Sequence, residues 1–306
     1  MRLVTRSDFD GLACAALLKE AGIIDSIKFV HPKDVQDGRI EATKDDVLAN
    51  VPFARGCGLW FDHHTSEEER LGLKFQGDSQ TAPSAARVIY RYYTAKGKPK
   101  VDFSRLDALV DAVDKADTAQ FTREEIERPA GWVLLSFVMD PRTGLGRFHD
   151  FRISNYQLME QLADAVRTMT IQQILELPDV KERVKAYFEQ NDRFRKMVRE
   201  HSNVRGNVIV LDLRNVETIY AGNRFLLYAM YPQQNASIQA MNGKDRQNVV
   251  FAVGHSILTR TAQTDIGSLM LRYGGGGHRG VGTCQVAHED ANRVLDELVG
   301  QLNRDG

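Results

Sequence analysis

Four short clusters in this sequence carry side chains able to do chemistry on a charged group. Asp8-Phe9-Asp10-Gly11 sets two carboxylates two positions apart beside a glycine. In a loop, each could take a hard or borderline cation, and the glycine lets the backbone turn closely. The plainer alternative is that Asp10 caps a following helix while Asp8 is solvated; the motif alone does not choose. Asp62-His63-His64 puts an acid beside two imidazoles. A neutral imidazole ligates metal, and a second can hold phosphate or pass a proton. Asp111, Asp114 and Asp117 recur every three residues, on roughly one helical face, where like charges repel unless a cation is near or the face is solvated. Asp117, followed by Thr118 at the helix end, is the best placed of them to point into a site. Gly274-Gly275-Gly276-Gly277-His278-Arg279 offers successive backbone N–H groups that can form an anion-binding nest, with His278 and Arg279 as further donors. A hairpin-like loop is the bland alternative. The run is neither GxGxxG after a strand nor GxxxxGK[ST], which disfavours a dinucleotide or P-loop site.

These clusters need a scaffold that gathers distant segments. Asp8 and Asp10 follow a β-like run, Arg2–Thr5, and precede a helical pattern from Leu12 to Ala21, with Gly22 as its stop. Further β-like runs cover Ile27–His31, Val47–Val51 and Gly58–Phe61, the last ending at Asp62. Ser84–Tyr93 and Phe103–Asp117 read as helices. Strands alternating with helices predict βαβ units and a mainly parallel sheet, with ligands beyond the carboxyl ends of the strands. Asn155–Met169 shows a helical apolar period, and Lys181–His201 continues as a charged helix with its polar face in water. Beyond it, strands are expected at Asn207–Leu213, Ala236–Met241, Asn248–Val253 and Thr283–Val286, with helices at Gly222–Tyr231, Asp265–Arg272 and Glu289–Leu302. The expected fold is α/β. A Rossmann-like domain covers 1–190, with a helical linker beginning near 155, and a smaller mixed α/β domain covers 205–306.

Composition bounds the function. At 306 residues the chain has length for about two domains. Its 40 basic and 41 acidic side chains leave a formal charge of −1, which excludes a protein held to nucleic acid by bulk electrostatics. No basic, aromatic-rich stripe marks a channel for a long strand. The longest apolar run near the start, Leu12–Leu18, has seven residues, far short of the roughly 18 a membrane span needs. Acids follow the opening apolar stretch at once, so no signal peptide is expected and the protein is read as cytoplasmic. Cys14, Cys57 and Cys284 are odd in number and widely spaced, giving neither a disulfide framework nor a CxxC zinc site.

Taken in order, DxDG, DHH, the acid of Asp117-Thr118-Ala119-Gln120-Phe121 and GGGH resemble the DHH phosphoesterase superfamily over essentially the whole chain. The likeness is to its shorter two-domain members: exopolyphosphatase-like proteins and enzymes that degrade very short oligonucleotides or phosphorylated nucleotides. Asn50-Val51-Pro52 and Cys57–His64 carry the exopolyphosphatase-like part. The resemblance implies an N-terminal DHH domain, a C-terminal DHH-associated substrate-binding domain with the active cleft between the two, and a metal-dependent phosphoesterase. Its substrate would be a small phosphodiester or phosphoanhydride: a short oligonucleotide, a nucleotide or polyphosphate. It implies Mn²⁺, as one or two ions with Mg²⁺ or Co²⁺ as substitutes, and a bridging hydroxide as nucleophile. Asp8, Asp10, His63 and Asp117 would hold metal, with Asp114 the alternative to Asp117. His64 would meet the attacked phosphate, with Asp62 beside it in the catalytic motif. Gly275, Gly276, Gly277, His278 and Arg279 would grip substrate, with Arg260 or Arg272 assisting. The sequence departs from the pattern in two respects. Val4 and Arg6 stand where the family has a histidine before its first acid, and Asn50 stands where it has a bridging aspartate. A neutral amide bridges two cations poorly, so one firm site from Asp10, His63 and Asp117 is expected. The alternative function is a nucleotide-binding protein on the same fold with weakened catalysis. A homodimer is left open.

Overall fold

The structure, a computed structural model, describes residues 1–63, 74–95, 101–148 and 150–306. The chain forms two compact units: Met1–Gln120 with Pro129–Ala186, and Phe121–Arg128 with Tyr187–Gly306. The short segment 121–128 thus belongs with the second unit although the first surrounds it in sequence.

The first unit is built on a parallel sheet of β1 (Arg2–Thr5), β2 (Ser26–Phe29), β3 (Asp46–Ala49), β4 (Leu59–Asp62) and β5 (Gly77–Ser79), in the order β2-β1-β3-β4-β5. Each neighbouring pair is parallel. β1 and β3 are buried almost throughout, as expected for strands covered on both faces. Helix α1 (Phe9–Glu20) is apolar all round and buried from Phe9 to Leu18, which makes it an interior helix rather than an amphipathic surface one. Around it come α2 (Pro32–Gln36), α3 (Ala85–Thr94) and α4 (Asp107–Asp117). The short α5 (Arg123–Glu127) is part of the second unit. Then follow α6 (Gly131–Met139), α7 (Asn155–Ala165), α8 (Ile171–Leu175) and α9 (Pro178–His201), within which the division between the units falls. The order 2-1-3-4-5 places a topological switch between β1 and β3. There successive connections leave in opposite directions and open a crevice at the strand ends.

The second unit holds a six-stranded mixed sheet in the order β10-β11-β9-β8-β7-β6. Its strands are β6 (Ser202–Arg205), β7 (Val208–Asp212), β8 (Ala236–Asn242), β9 (Val249–His255), β10 (Gly276–His278) and β11 (Val281–Val286). Only β7 and β8 pair in parallel. Helices α10 (Leu226–Met230), α11 (Ile266–Leu271) and α12 (Ala291–Arg304) belong to it, and its core gathers Ile238, Phe251, Met270 and Leu298. No helix among the described residues is long and apolar enough to cross a membrane.

Candidate metal centre

The DxDG motif does two jobs with its two acids. Asp8 is the N-cap of α1: its carboxylate accepts from Gly11 N at 2.9 Å. Gly11 is obligatory because a Cβ there would lie 2.1 Å from the Arg6 carbonyl oxygen. Asp10, in the first helical turn, is turned inward and only 2 % exposed. Its two oxygens accept from Ala85 N (2.9 Å) and Ala86 N (2.8 Å), the first N–H groups of α3. The Cys14 thiol donates weakly to it at 3.7 Å. A helix N-terminus therefore holds a buried carboxylate contributed from the start of the chain.

His63 follows directly on β4. Its Nε2 lies 3.5 Å from Asp117 Oδ2 and 4.0 Å from Asp10 Oδ2, and its Nδ1 lies 3.2 Å from the Ala82 carbonyl oxygen. A carbonyl can only accept, so Nδ1 carries a proton, which leaves Nε2 as the nitrogen that faces the acids and would ligate a metal. Asp117 is the last residue of α4, 38 % exposed at its side chain. One ligand atom from each of Asp10, His63 and Asp117 lies within 4.8 Å of the others. Burial first, then Asp117, then Asp8 push the Asp10 pKa well above the ordinary carboxylate value, against the two N–H bonds that lower it. Two carboxylates and an imidazole nitrogen, converging on one point with a buried acid in electrostatic deficit, fit a divalent cation.

The other expected ligands fall elsewhere. Asp8 is outside this group: Arg6 Nε pairs with its Oδ2 at 3.1 Å, and Asn50 Nδ2 donates to its Oδ1 at 3.0 Å. Asn50 is buried with φ 55°, a left-handed conformation asparagine tolerates. Asp114 accepts from Ser84 Oγ (2.6 Å) and Arg87 Nε (2.7 Å), and Asp111 from Arg87 Nη2 (2.6 Å). These two acids therefore staple α4 to α3. Asp62 is buried at the end of β4, and His64 lies outside the described residues.

In the second unit the glycine run is not a nest of free N–H groups. Gly274, with φ 72°, and Gly275 donate to the carbonyls of Leu271 and Met270 and close the end of α11. Gly276–His278 then form β10, an edge strand paired with β11. Gly275 and Gly277 are required by packing, since a Cβ would lie 2.0 Å from the Thr283 oxygen or 2.3 Å from the Val281 oxygen. Gly276 faces open space, and His278 and Arg279 are exposed. Arg260, also exposed, donates to the Ile257 carbonyl.

No protein-family model matches the chain, and no curated protein does. Among solved structures it is similar to the pGpG-specific phosphodiesterase PggH from Vibrio cholerae, at 50 % identity over 100 % of this chain and 99 % of that one, with a TM-score of 0.86. The chain belongs to the DHH phosphoesterase superfamily. An exopolyphosphatase-related protein from Bacteroides fragilis shares the DHH fold at 11 % identity over 99 % of this chain and 92 % of that one, with a TM-score of 0.53. RecJ from Thermus thermophilus, solved in complex with Mg²⁺, does so at 14 % identity and a TM-score of 0.54, over 99 % of this chain and 50 % of that one. This DHH protein is accordingly a metal-dependent phosphoesterase for a small phosphorylated substrate.

Sequence reasoning missed two contributors to the DHH centre, the N–H groups of Ala85 and Ala86, and the cation nearby, Arg142. Arg142 pairs with Asp140 at 2.8 Å. Burial lowers its pKa, but Asp140, and more distantly Asp8 and Asp117, outweigh that and hold the guanidinium above its ordinary value. No local pattern links residue 10 to residues 85 and 86; only the packing of α3 against α1 does.

Proposed function

We propose that this DHH protein is a cytoplasmic, Mn²⁺-dependent phosphodiesterase that cleaves the internal phosphodiester of a short linear dinucleotide such as pGpG. The substrate rests on one observation: end-to-end likeness, at 50 % identity, to an enzyme named as pGpG-specific. Asp10, His63 and Asp117 would hold the ion, and their mixed carboxylate and imidazole donors suit Mn²⁺. A divalent ion there supplies a water acidic enough to act as nucleophile near neutral pH, and positive charge against the phosphoryl oxygens. The remaining residues position. Ala82 fixes the His63 tautomer, and the α3 N-terminus keeps Asp10 from rotating away. Arg6, on Asp8, brings a fixed positive charge beside the acid cluster, which supports a single ion. His64, with Asp62 beside it, is assigned to the attacked phosphate. In the second unit, Gly276, His278 and Arg279 are the members of the glycine segment assigned to substrate phosphate.

The test is turnover of pGpG with Mn²⁺, read beside metal content. Wild-type protein is expected to retain Mn²⁺ by elemental analysis, whereas His63→Ala and Asp10→Asn lose most of both metal and rate. Equal metal in wild type and His63→Ala would overturn the ligand assignment. A nucleotide-binding protein without turnover is favoured by one feature, the pairing of Asp8 with Arg6 and Asn50. Tight pGpG binding with no hydrolysis in any divalent ion would establish it.

A further inference from the structure

A cavity of about 700 Å³ opens within the first unit beyond the ends of β1 and β2, and nothing in the metal centre accounts for it. Its rim includes Arg6 and Asp8, so whatever fills it abuts the charged cluster around Asp10. Its lining includes the apolar side chains of Val30, Met139 and Leu145. Tyr156 also lines it; this ring is 55 % exposed, and it is held flat by stacking on Phe29, with centroids 5.2 Å apart and planes 25° apart. The size falls within the roughly 300–1,000 Å³ range of small-molecule sites. A polyphosphate chain has no use for an apolar lining or an exposed aromatic platform. A nucleobase has use for both, because every base presents a π-face.

We propose that this cavity receives one purine nucleoside of the substrate, its base against Tyr156 and its phosphate end toward Arg6. The inference rests on the dinucleotide reading above and deepens it by naming the subsite. The wall that carries Arg183 is rigid: this side chain is 2 % exposed, its guanidinium stacks over Phe151 at 4.2 Å, and it donates to the carbonyls of Asp179 and Ile153. That wall is fixed before any ligand arrives. Asp150, an exposed acid, also lines the cavity. A carboxylate only accepts hydrogen bonds. Guanine offers it two adjacent donors, N1–H and the exocyclic amine, whereas adenine has no proton on N1. Asp150 is thereby assigned to guanine preference.

The experiment uses the full Mn²⁺-loaded chain and three variants: Tyr156→Ala, Tyr156→Phe and Asp150→Asn. Tyr156→Ala is expected to raise KM for pGpG about tenfold or more, the worth of one lost base stack, with kcat and Mn²⁺ content held. Tyr156→Phe, which keeps the ring, is expected to restore the wild-type KM. Asp150→Asn should narrow the preference for pGpG over its adenine counterpart pApA. An unchanged KM in Tyr156→Ala, in an active and metal-loaded protein, would overturn the subsite. Competition by GMP and by ribose 5-phosphate, read as equilibrium binding, separates this from failure of the catalytic reading, because it needs no turnover. If wild type binds GMP more tightly than ribose 5-phosphate and Tyr156→Ala abolishes the gap, the subsite stands even should pGpG not be cleaved. The same gap in both proteins would overturn it.

Discussion

Asp10 is a carboxylate held where its charge is costly, and that makes it a reporter of the cation. In the unfolded chain it ionises near the ordinary value of about 3.9. In the metal-free folded protein, burial, Asp117 and Asp8 raise its pKa well above that. A folded state that binds the proton more tightly gains stability fully present below the unfolded pKa and lost as pH rises through the raised folded value. In EDTA, Tm is therefore expected to fall over that window relative to Asp10→Asn, which has no proton to lose. Mn²⁺ should abolish the difference, because the cation takes the proton's place. Parallel Tm profiles for the two proteins in EDTA would show that Asp10 keeps its ordinary pKa. Asn50 gives a second prediction. Its amide donates to Asp8 Oδ1 at 3.0 Å. Asn50→Asp replaces that donor with a buried acid facing Asp8, at a cost of about 1–3 kcal/mol. Lower Tm in EDTA and additional bound Mn²⁺ on metal loading are expected. A destabilised variant with unaltered metal content would mean that position 50 is not at a bridge between ions.

At the level of elements, the centre depends on how helix ends are fixed. Ser84 caps α3 by accepting from Arg87 N and also donates to Asp114, so one hydroxyl anchors α3 and ties it to α4. The N–H groups that hold Asp10 and the helix end that carries Asp117 meet across this joint. The glycine run is the corresponding device in the second unit, where a helix stop passes straight into an edge strand. Because Gly276 faces open space, Gly276→Val is expected to leave Tm nearly unchanged, while Gly275→Val, whose Cβ has no room, unfolds more easily by about 1–3 kcal/mol. If substrate phosphate approaches the β10 edge, Gly276→Val should also raise KM for pGpG with Mn²⁺ content intact. His278→Ala should do so about tenfold through one lost charge-assisted donor. KM values equal to wild type in both variants would assign the segment to structure alone.

For the molecule as a whole, charge balance sets a limit on substrate length. With 40 basic against 41 acidic side chains, the chain has no surplus with which to track a long phosphate backbone. A cavity sized for one nucleoside points the same way. Hydrolysis is expected to be fastest on dinucleotides and to drop by about tenfold or more on strands of twenty nucleotides, with only a shallow salt dependence. Equal rates on both lengths, or a steep salt slope, would instead indicate a strand-binding groove.

The sequence by itself determined the strand and helix order around the centre, because alternating apolar runs, caps and breakers are local. Through the resemblance of its DxDG, DHH and D-T-x-x-F motifs to DHH phosphoesterases it also pointed to Asp8, Asp10, His63 and Asp117 as metal ligands. It did not reveal β5 and β10, Gly-Asp-Ser and Gly-Gly-His. Those residues are poor strand formers and are recruited by pairing with β4 and β11. It expected four exposed N–H groups in the glycine run, where closing α11 and pairing with β11 use much of that backbone. Only the tertiary structure decided that Asp8 is held by Arg6 and Asn50, that Asp114 serves Ser84 and Arg87, and that the first N–H groups of α3 meet Asp10. Each of these outcomes depends on which long-range neighbour reaches a carboxylate first. That is a matter of distances across the fold, which no pattern along the chain encodes.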